Sequence, residues 1–323
     1  MNLGSPKSTS VGDVGAYLRE FLMDPYVIDL PWLFRWFLVN VVIVPFRSPK
    51  SAQLYNKIWR EKTGSPLLHI SKKFVEKLQD QFVSSEDIKQ VKLAMRYGEP
   101  DLRATLNRML NELSSIDKLY VLPMYPQYAE SSTKSALVRV RQILRELQFG
   151  GEIVECRGFF RHPGFIECVT KKIVTEIETF QPDHLLLSYH GLPMRQVGSY
   201  RDECLATTAA ISEELDKRGA WPKEKVSTGF QSRLNERWIQ PFSDHFYRTL
   251  PAQGVRKLLV ACPSFVADCL ETLEEVAIRG RDEFCAHGGG DLRLVPCLND
   301  SDEWVNAVAD IVRDQNYWQV YQL

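Results

Sequence analysis

No charge of one sign dominates this 323-residue chain, in which 40 lysines and arginines face 41 aspartates and glutamates. No global field therefore draws it toward nucleic acid. Cysteine is sparse and scattered, with seven residues and no CxxC spacing. An odd count without short spacings argues against a disulfide framework or a structural zinc site, and fits a reducing, cytoplasmic interior. Long apolar runs are missing as well. The greasiest stretch, VIDLPWLFRWFLVNVVIVPF at 27–46, carries Asp29, Pro31 and Arg35, and its uncharged part from Trp36 to Phe46 is too short to span a bilayer. The polar NLGSPKSTS after Met1 shows no secretory signal. Low-complexity tracts and nucleotide fingerprints are absent too. The GGGD at 288–291 follows a helical pattern and precedes a strand pattern, the reverse of a phosphate loop.

What is present is a regular alternation. From residue 66 onward, amphipathic stretches such as PLLHISKKFVEKLQDQF and PGFIECVTKKIVTEIETF alternate with short apolar runs such as KLYVLPMYP, GEIVECR, HLLLSYH and KLLVACPSF. A further helix is expected over PDLRATLNRMLNELSSI, residues 100–116. This pattern predicts an α/β fold with parallel sheets covered by helices on both faces. So many units over this length favour two smaller doubly wound domains, and Gly150-Gly151 after a helix is the expected hinge.

In such sheets ligands sit at the carboxyl ends of the strands. That edge gathers His190, Gln231-Ser232-Arg233, Pro263-Ser264-Phe265, Arg96-Tyr97 and Tyr125-Pro126-Gln127. In CPSFVADCLETLEEV, residues 262–276, Asp268, Glu271 and Glu275 follow at i, i+3 and i+7, which on an α-helix is roughly 60° of arc. Alone, those carboxylates read as a solvated face near a helix N-terminus, and His190 alone reads as a strand-capping histidine. Together at one sheet edge they suit proton transfer near neutral pH, or a borderline divalent metal such as Fe²⁺.

SYHGLP at 188–193, FQSR at 230–233 followed by Trp238, and DCLETLEE at 268–275 resemble the signature segments of the ferrochelatases, which insert Fe²⁺ into a porphyrin. NLGSP at 2–6, YLREFL at 17–22, GSPLL at 64–68, MRYG at 95–98 and YPQY at 125–128 match in the same order, so the resemblance covers essentially the whole chain. It implies two Rossmann-like domains, each with a parallel sheet flanked by helices, and a porphyrin cleft between them. The first would span 1–150 and be rejoined by a C-terminal helix over 302–323. The second would span 151–301.

The resemblance further implies His190 as the essential histidine, Glu271 as its carboxylate partner, the two together meeting the metal, and Asp268 as support. Glu275 continues the acidic line, and the family's next acidic position is Arg279 here. Metallation removes pyrrole protons, strips water from Fe²⁺ and bends the ring. An imidazole and a carboxylate handle the protons, and a tight apolar slot holds the bend. Leu3, Tyr97, Trp238 and Phe265 are the expected walls, with Arg60 and Arg96 as donors to the propionates. Each wall residue also has an ordinary core-packing reading, and Arg233 reads as structural.

The resemblance assigns residues 27–46 to a lip over the mouth of the site, in members that take protoporphyrin IX from a membrane. Trp32, Phe34, Arg35, Trp36 and Phe37 suit such an interface. A cytoplasmic enzyme touching the inner membrane peripherally is the expectation, with coproporphyrin III as the alternative substrate. The rivals are a chelatase for another tetrapyrrole or metal and a tetrapyrrole carrier without catalysis. No cofactor is expected: Fe²⁺ is a substrate, and no cysteine after Cys297 could ligate a [2Fe–2S] cluster. Family members carry a short apolar strand before NLGSP. Here that motif starts at residue 2, so an N-terminally shortened chain with a poorly held Leu3 is expected.

Overall fold

The computed structural model describes residues 1–85, 88–113 and 116–322. Ser114 and Ser115, near the end of the helix expected over 100–116, and Leu323, the last residue of the expected 302–323 return, lie outside the described residues. Among the described residues nine strands appear in chain order: β1 (Asn2–Ser5), β2 (Met95–Gly98), β3 (Lys118–Val121), β4 (Glu152–Cys156), β5 (His184–His190), β6 (Val226–Gln231), β7 (Lys257–Ala261), β8 (Asp291–Leu294) and β9 (Trp318–Tyr321). The chain divides into two compact units, Met1–Gly158 with Arg313–Leu323, and Phe159–Val312.

In the first unit β1 pairs with β2 in parallel, and β3, β4 and β9 form a second sheet in which only the β4–β9 pair is antiparallel. Leu106, Val121, Leu137, Val140, Ile143 and Ile153 build its core between helices and sheet. Asn2–Ser5 itself forms β1, paired with β2. Met1 extends that strand toward β3, its ammonium donating to Leu122 O at 2.6 Å while its carbonyl accepts from Met124 N–H. Burial lowers that amine to about 5. Gly4 is required there: at φ 119°, a Cβ would fall 1.8 Å from Tyr97 O across the strand pair. Leu3 is half-buried, its N–H held by Asn2 Oδ1.

The second unit carries a four-stranded, fully parallel sheet in the order β6-β5-β7-β8. β5 is one of its two interior strands, and Leu185 through Tyr189 have no exposed surface. That explains the unbroken apolar run, since a parallel strand covered on both faces has no solvent side to alternate with. Leu258, Val260, Val276, Phe284 and Leu292 pack with Leu186 into one core.

Two expected boundaries differ. The break falls after Gly158 and not at Gly150-Gly151, because β4 pairs with β3 and so belongs to the first sheet. The helix Asp302–Arg313 stays almost wholly in the second unit, where Trp304 packs on Phe159 and Phe165 with ring centroids 5.7 and 5.9 Å away. Only the tail beyond it returns, as β9 against β4, anchored by the Arg141 guanidinium 3.9 Å over the Tyr321 ring.

Candidate active site

His190 is the last residue of β5, half-buried, with its ring 6.1 Å from that of Phe265 in an edge-on arrangement. The chain turns directly after it at Gly191, where a Cβ would meet Gln231 O at 2.6 Å and the Trp238 ring at 3.3 Å. Only glycine lets the backbone pass that close. Phe265 thus stands beside the histidine and Trp238 beside Gly191, both half-buried.

The acidic helix is built differently from the expectation. Glu271–Gly280 is a π-helix of 10 residues, and Asp268 precedes it. The bonding of a π-helix gives somewhat more than four residues per turn, so Glu271 and Glu275 at i, i+4 share a face while Asp268 drops off it. Asp268 is instead turned into the core. Its carboxylate accepts from Asn299 Nδ2 at 2.7 Å, Thr272 Oγ1 at 3.2 Å and Cys297 N–H at 3.3 Å. These bonds tie Asp268 to Thr272 in the first turn of the helix and to residues 297–299.

Strand and helix are joined by Gln231 and Ser232, which the sequence reading left without a role. Gln231 lies in register with His190 across the β5–β6 pair, and its Nε2 donates to the Glu271 carbonyl at 2.9 Å. Its Oε1 accepts from Ser188 Oγ at 2.7 Å, which orients the amide. Ser232, at φ 64°, gives both its N–H and its Oγ to Glu275. Burial pushes the Glu275 carboxyl up; the Ser232 donors and Arg279, 3.8 Å away, oppose that, and Glu271 adds to it. An acidic pair therefore stands on one helix face, tied through a glutamine to the strand that carries the histidine. Among the described residues, no group of three or more His, Cys, Asp or Glu side chains is arranged to hold a metal ion.

The first unit holds the other expected residues. Tyr97 is fully buried, its hydroxyl donating to Asp24 at 2.8 Å, so it packs in the core instead of forming an open wall. Burial pushes its phenol far up, Arg96 opposing. Arg96 binds Asp24 through Nη2 and Ser135 Oγ through Nε at 2.8 Å, and Ser135 in turn donates to Asp24 at 2.5 Å. Asp24 is the buried anion at the centre of this group. Nothing in its local sequence signals it, because its partners lie 72, 73 and 111 residues away. Arg60 stands exposed on a separate turn, closed by paired bonds between its backbone and that of Gly64. Arg233 is bound to Asp244 at 2.8 Å and stacked on Phe242.

The helical stretch Trp32–Ile58 runs α, π and α again, and leaves Trp32, Leu33, Phe34, Trp36, Phe37 and Phe46 exposed. Arg35, expected at the interface, is turned inward to the carbonyls of Ile28 and Leu30. Among the described residues, no helix is long and apolar enough to cross a membrane.

The fold is that of the chelatases: the solved structure of SirB from Bacillus subtilis with Fe³⁺ matches 78% of this chain and 91% of its own at a TM-score of 0.55, with 11% identity. The ferrochelatase family model matches residues 1–316. Curated ferrochelatases are similar throughout: that of Pseudomonas putida is 40% identical over 96% of both chains, and that of Legionella pneumophila 38% identical over 98% of both. The chain belongs to the ferrochelatase family, enzymes of haem biosynthesis that insert iron into a porphyrin.

Proposed function

We propose that this enzyme inserts ferrous iron into protoporphyrin IX to give protohaem, with His190 accepting pyrrole protons and Glu271 as its carboxylate partner at the metal. The observation that supports the assignment most is the tie between the two halves of the site. His190 ends β5, its register partner Gln231 holds the Glu271 carbonyl, and the neighbouring Ser232 holds Glu275. Each insertion exchanges two pyrrole protons for the metal. A neutral imidazole takes a proton, and a carboxylate beside it stabilises the resulting charge or passes the proton on. Glu275, whose burial favours its protonated form, is placed on the same helix face to receive it. Phe265 and Trp238 supply apolar surface against which a macrocycle can be held bent.

Protoporphyrin is preferred to coproporphyrin III because the exposed aromatic segment beginning at Trp32 suits a lipid interface, from which an apolar substrate would be taken. We accordingly read the protein as cytoplasmic and peripheral at the inner membrane. With two nitrogens of Arg96 engaged, the exposed Arg60 is the better donor to a propionate, and Leu3 remains a candidate wall. The enzyme is also read as working without a resident [2Fe–2S] cluster.

Anaerobic turnover of purified protein with Fe²⁺ and either porphyrin, compared with His190→Ala, tests the reading. Faster metallation of protoporphyrin and its abolition in the variant are expected. A variant with undiminished turnover would remove His190 from the mechanism, and faster metallation of coproporphyrin III would reassign the substrate.

A further inference from the structure

The backbone of His190 is held in an unusual way. Residues of a parallel strand direct their N–H and C=O alternately to the two neighbouring strands. Gly191 N–H reaches Gln231 O on the β6 side, so the N–H and C=O of His190 point to the β7 side. β7 does not extend that far. Its pairing with β5 ends at Leu187↔Ala261, and two residues on stands Pro263, which has no N–H to give. Two side-chain hydroxyls take over. His190 N–H donates to Ser264 Oγ at 3.0 Å, and Tyr200 Oη donates to His190 O at 2.8 Å. Tyr200 is buried, the first residue of the helix Tyr200–Lys217, and its hydroxyl also meets the Ser264 side chain.

We propose that Tyr200 and Ser264 are positioning residues that replace the missing ladder at the strand end and so fix where the His190 imidazole stands. Neither is a catalytic residue, since both act on the backbone of the histidine. Without them His190 would make no backbone hydrogen bond of its own and be held only through its neighbours, such as Gly191, and the imidazole would move relative to Phe265 and the acidic helix. Geometry at a reacting centre governs turnover steeply, and loss of such an outer partner costs about 10-fold or more in rate. This inference rests on the assignment of His190 as the proton acceptor.

The experiment compares Tyr200→Phe, Ser264→Ala and Ser264→Thr with the wild-type enzyme and with His190→Ala. Anaerobic turnover is normalised to the porphyrin bound per chain, so unfolded protein does not count. Tyr200→Phe and Ser264→Ala are expected to lower kcat about 10-fold, with porphyrin KM little changed. Ser264→Thr keeps the hydroxyl and should recover most of the rate. The imidazole signal of His190 in NMR spectra should shift and broaden in the two slow variants. Unchanged kcat per bound porphyrin in Tyr200→Phe and Ser264→Ala, beside an inactive His190→Ala, would overturn the positioning role alone. Full activity in His190→Ala would overturn it together with the site assignment. If Tyr200→Phe does not fold, the Ser264 pair decides: equal rates for Ala and Thr would count against the proposal.

Discussion

Ser232 gives Glu275 both of its hydrogen-bond donors, N–H to one carboxylate oxygen and Oγ to the other, each at 2.7 Å. A residue at φ 64° thus fixes the plane of an acid on the π-helix face. Such donors favour the ionised form, yet burial outweighs them and the carboxyl is raised.

This has a consequence for stability against pH. A carboxyl with a raised folded-state pKa binds more protons folded than unfolded, above the usual carboxylate value. Stability from Glu275 is therefore fully present below that value and is lost as pH rises through the raised one. Glu275→Gln should flatten the decline of melting temperature on the neutral side of pH 4.5, the ordinary value of the group. An unchanged slope in the variant would show that the proton is not held there.

Ser232→Ala removes one of the two bonds and leaves the acid partly unpaired. We expect a loss of about 1–3 kcal/mol in urea unfolding. Ser232→Gly should lose less, because glycine adopts the positive φ without strain. Equal losses would mean that the backbone conformation costs little at this position.

Glu271→Gln keeps the shape of the side chain and removes its charge. Turnover should fall sharply while porphyrin still binds, as read by quenching of protein fluorescence. A collapse of porphyrin affinity with turnover intact at saturation would make Glu271 a binding residue.

Asp24 anchors Arg96, Tyr97 and Ser135 in the first unit. Asp24→Ala leaves a mostly buried guanidinium without its counter-charge, so a loss of about 3–5 kcal/mol is expected in chemical denaturation. A loss below about 1 kcal/mol would show that water or another group replaces the carboxylate readily.

Trp36→Ser with Phe37→Ser tests the exposed apolar segment. Both side chains are about half exposed, at 43% and 56%, so the fold should survive with its melting temperature nearly unchanged. Flotation with liposomes should weaken markedly, each side chain being worth about 1.5–3 kcal/mol if it enters lipid. A destabilised, aggregating variant would instead mark these residues as packing against protein.

Much of the architecture was legible before the fold was known, because period and run length are local properties. The apolar run Leu185–Leu187 read as a buried strand, and the turn at Gly191 placed His190 at its carboxyl end, as the strand His184–His190 shows. The family motifs proposed His190, Glu271, Phe265 and Trp238 by order alone, and the structure sets Phe265 beside His190 and Trp238 beside Gly191. What the sequence could not settle depends on residues far apart in the chain. A change from α to π winding over Glu271–Gly280 leaves no periodic signature strong enough to read, yet it separates Asp268 from the two glutamates. Asp24 became an anchor only when strands and helices 72 or more residues away closed around it, for burial is what gives an isolated aspartate such weight. The boundary after Gly158 and the placing of the last helix were likewise decided by strand pairing and aromatic packing. The sequence by itself determined the chemistry available at the sheet edge; tertiary structure decided which side chains hold it in place, because hydrogen bonds and burial are set by distance in space and not along the chain.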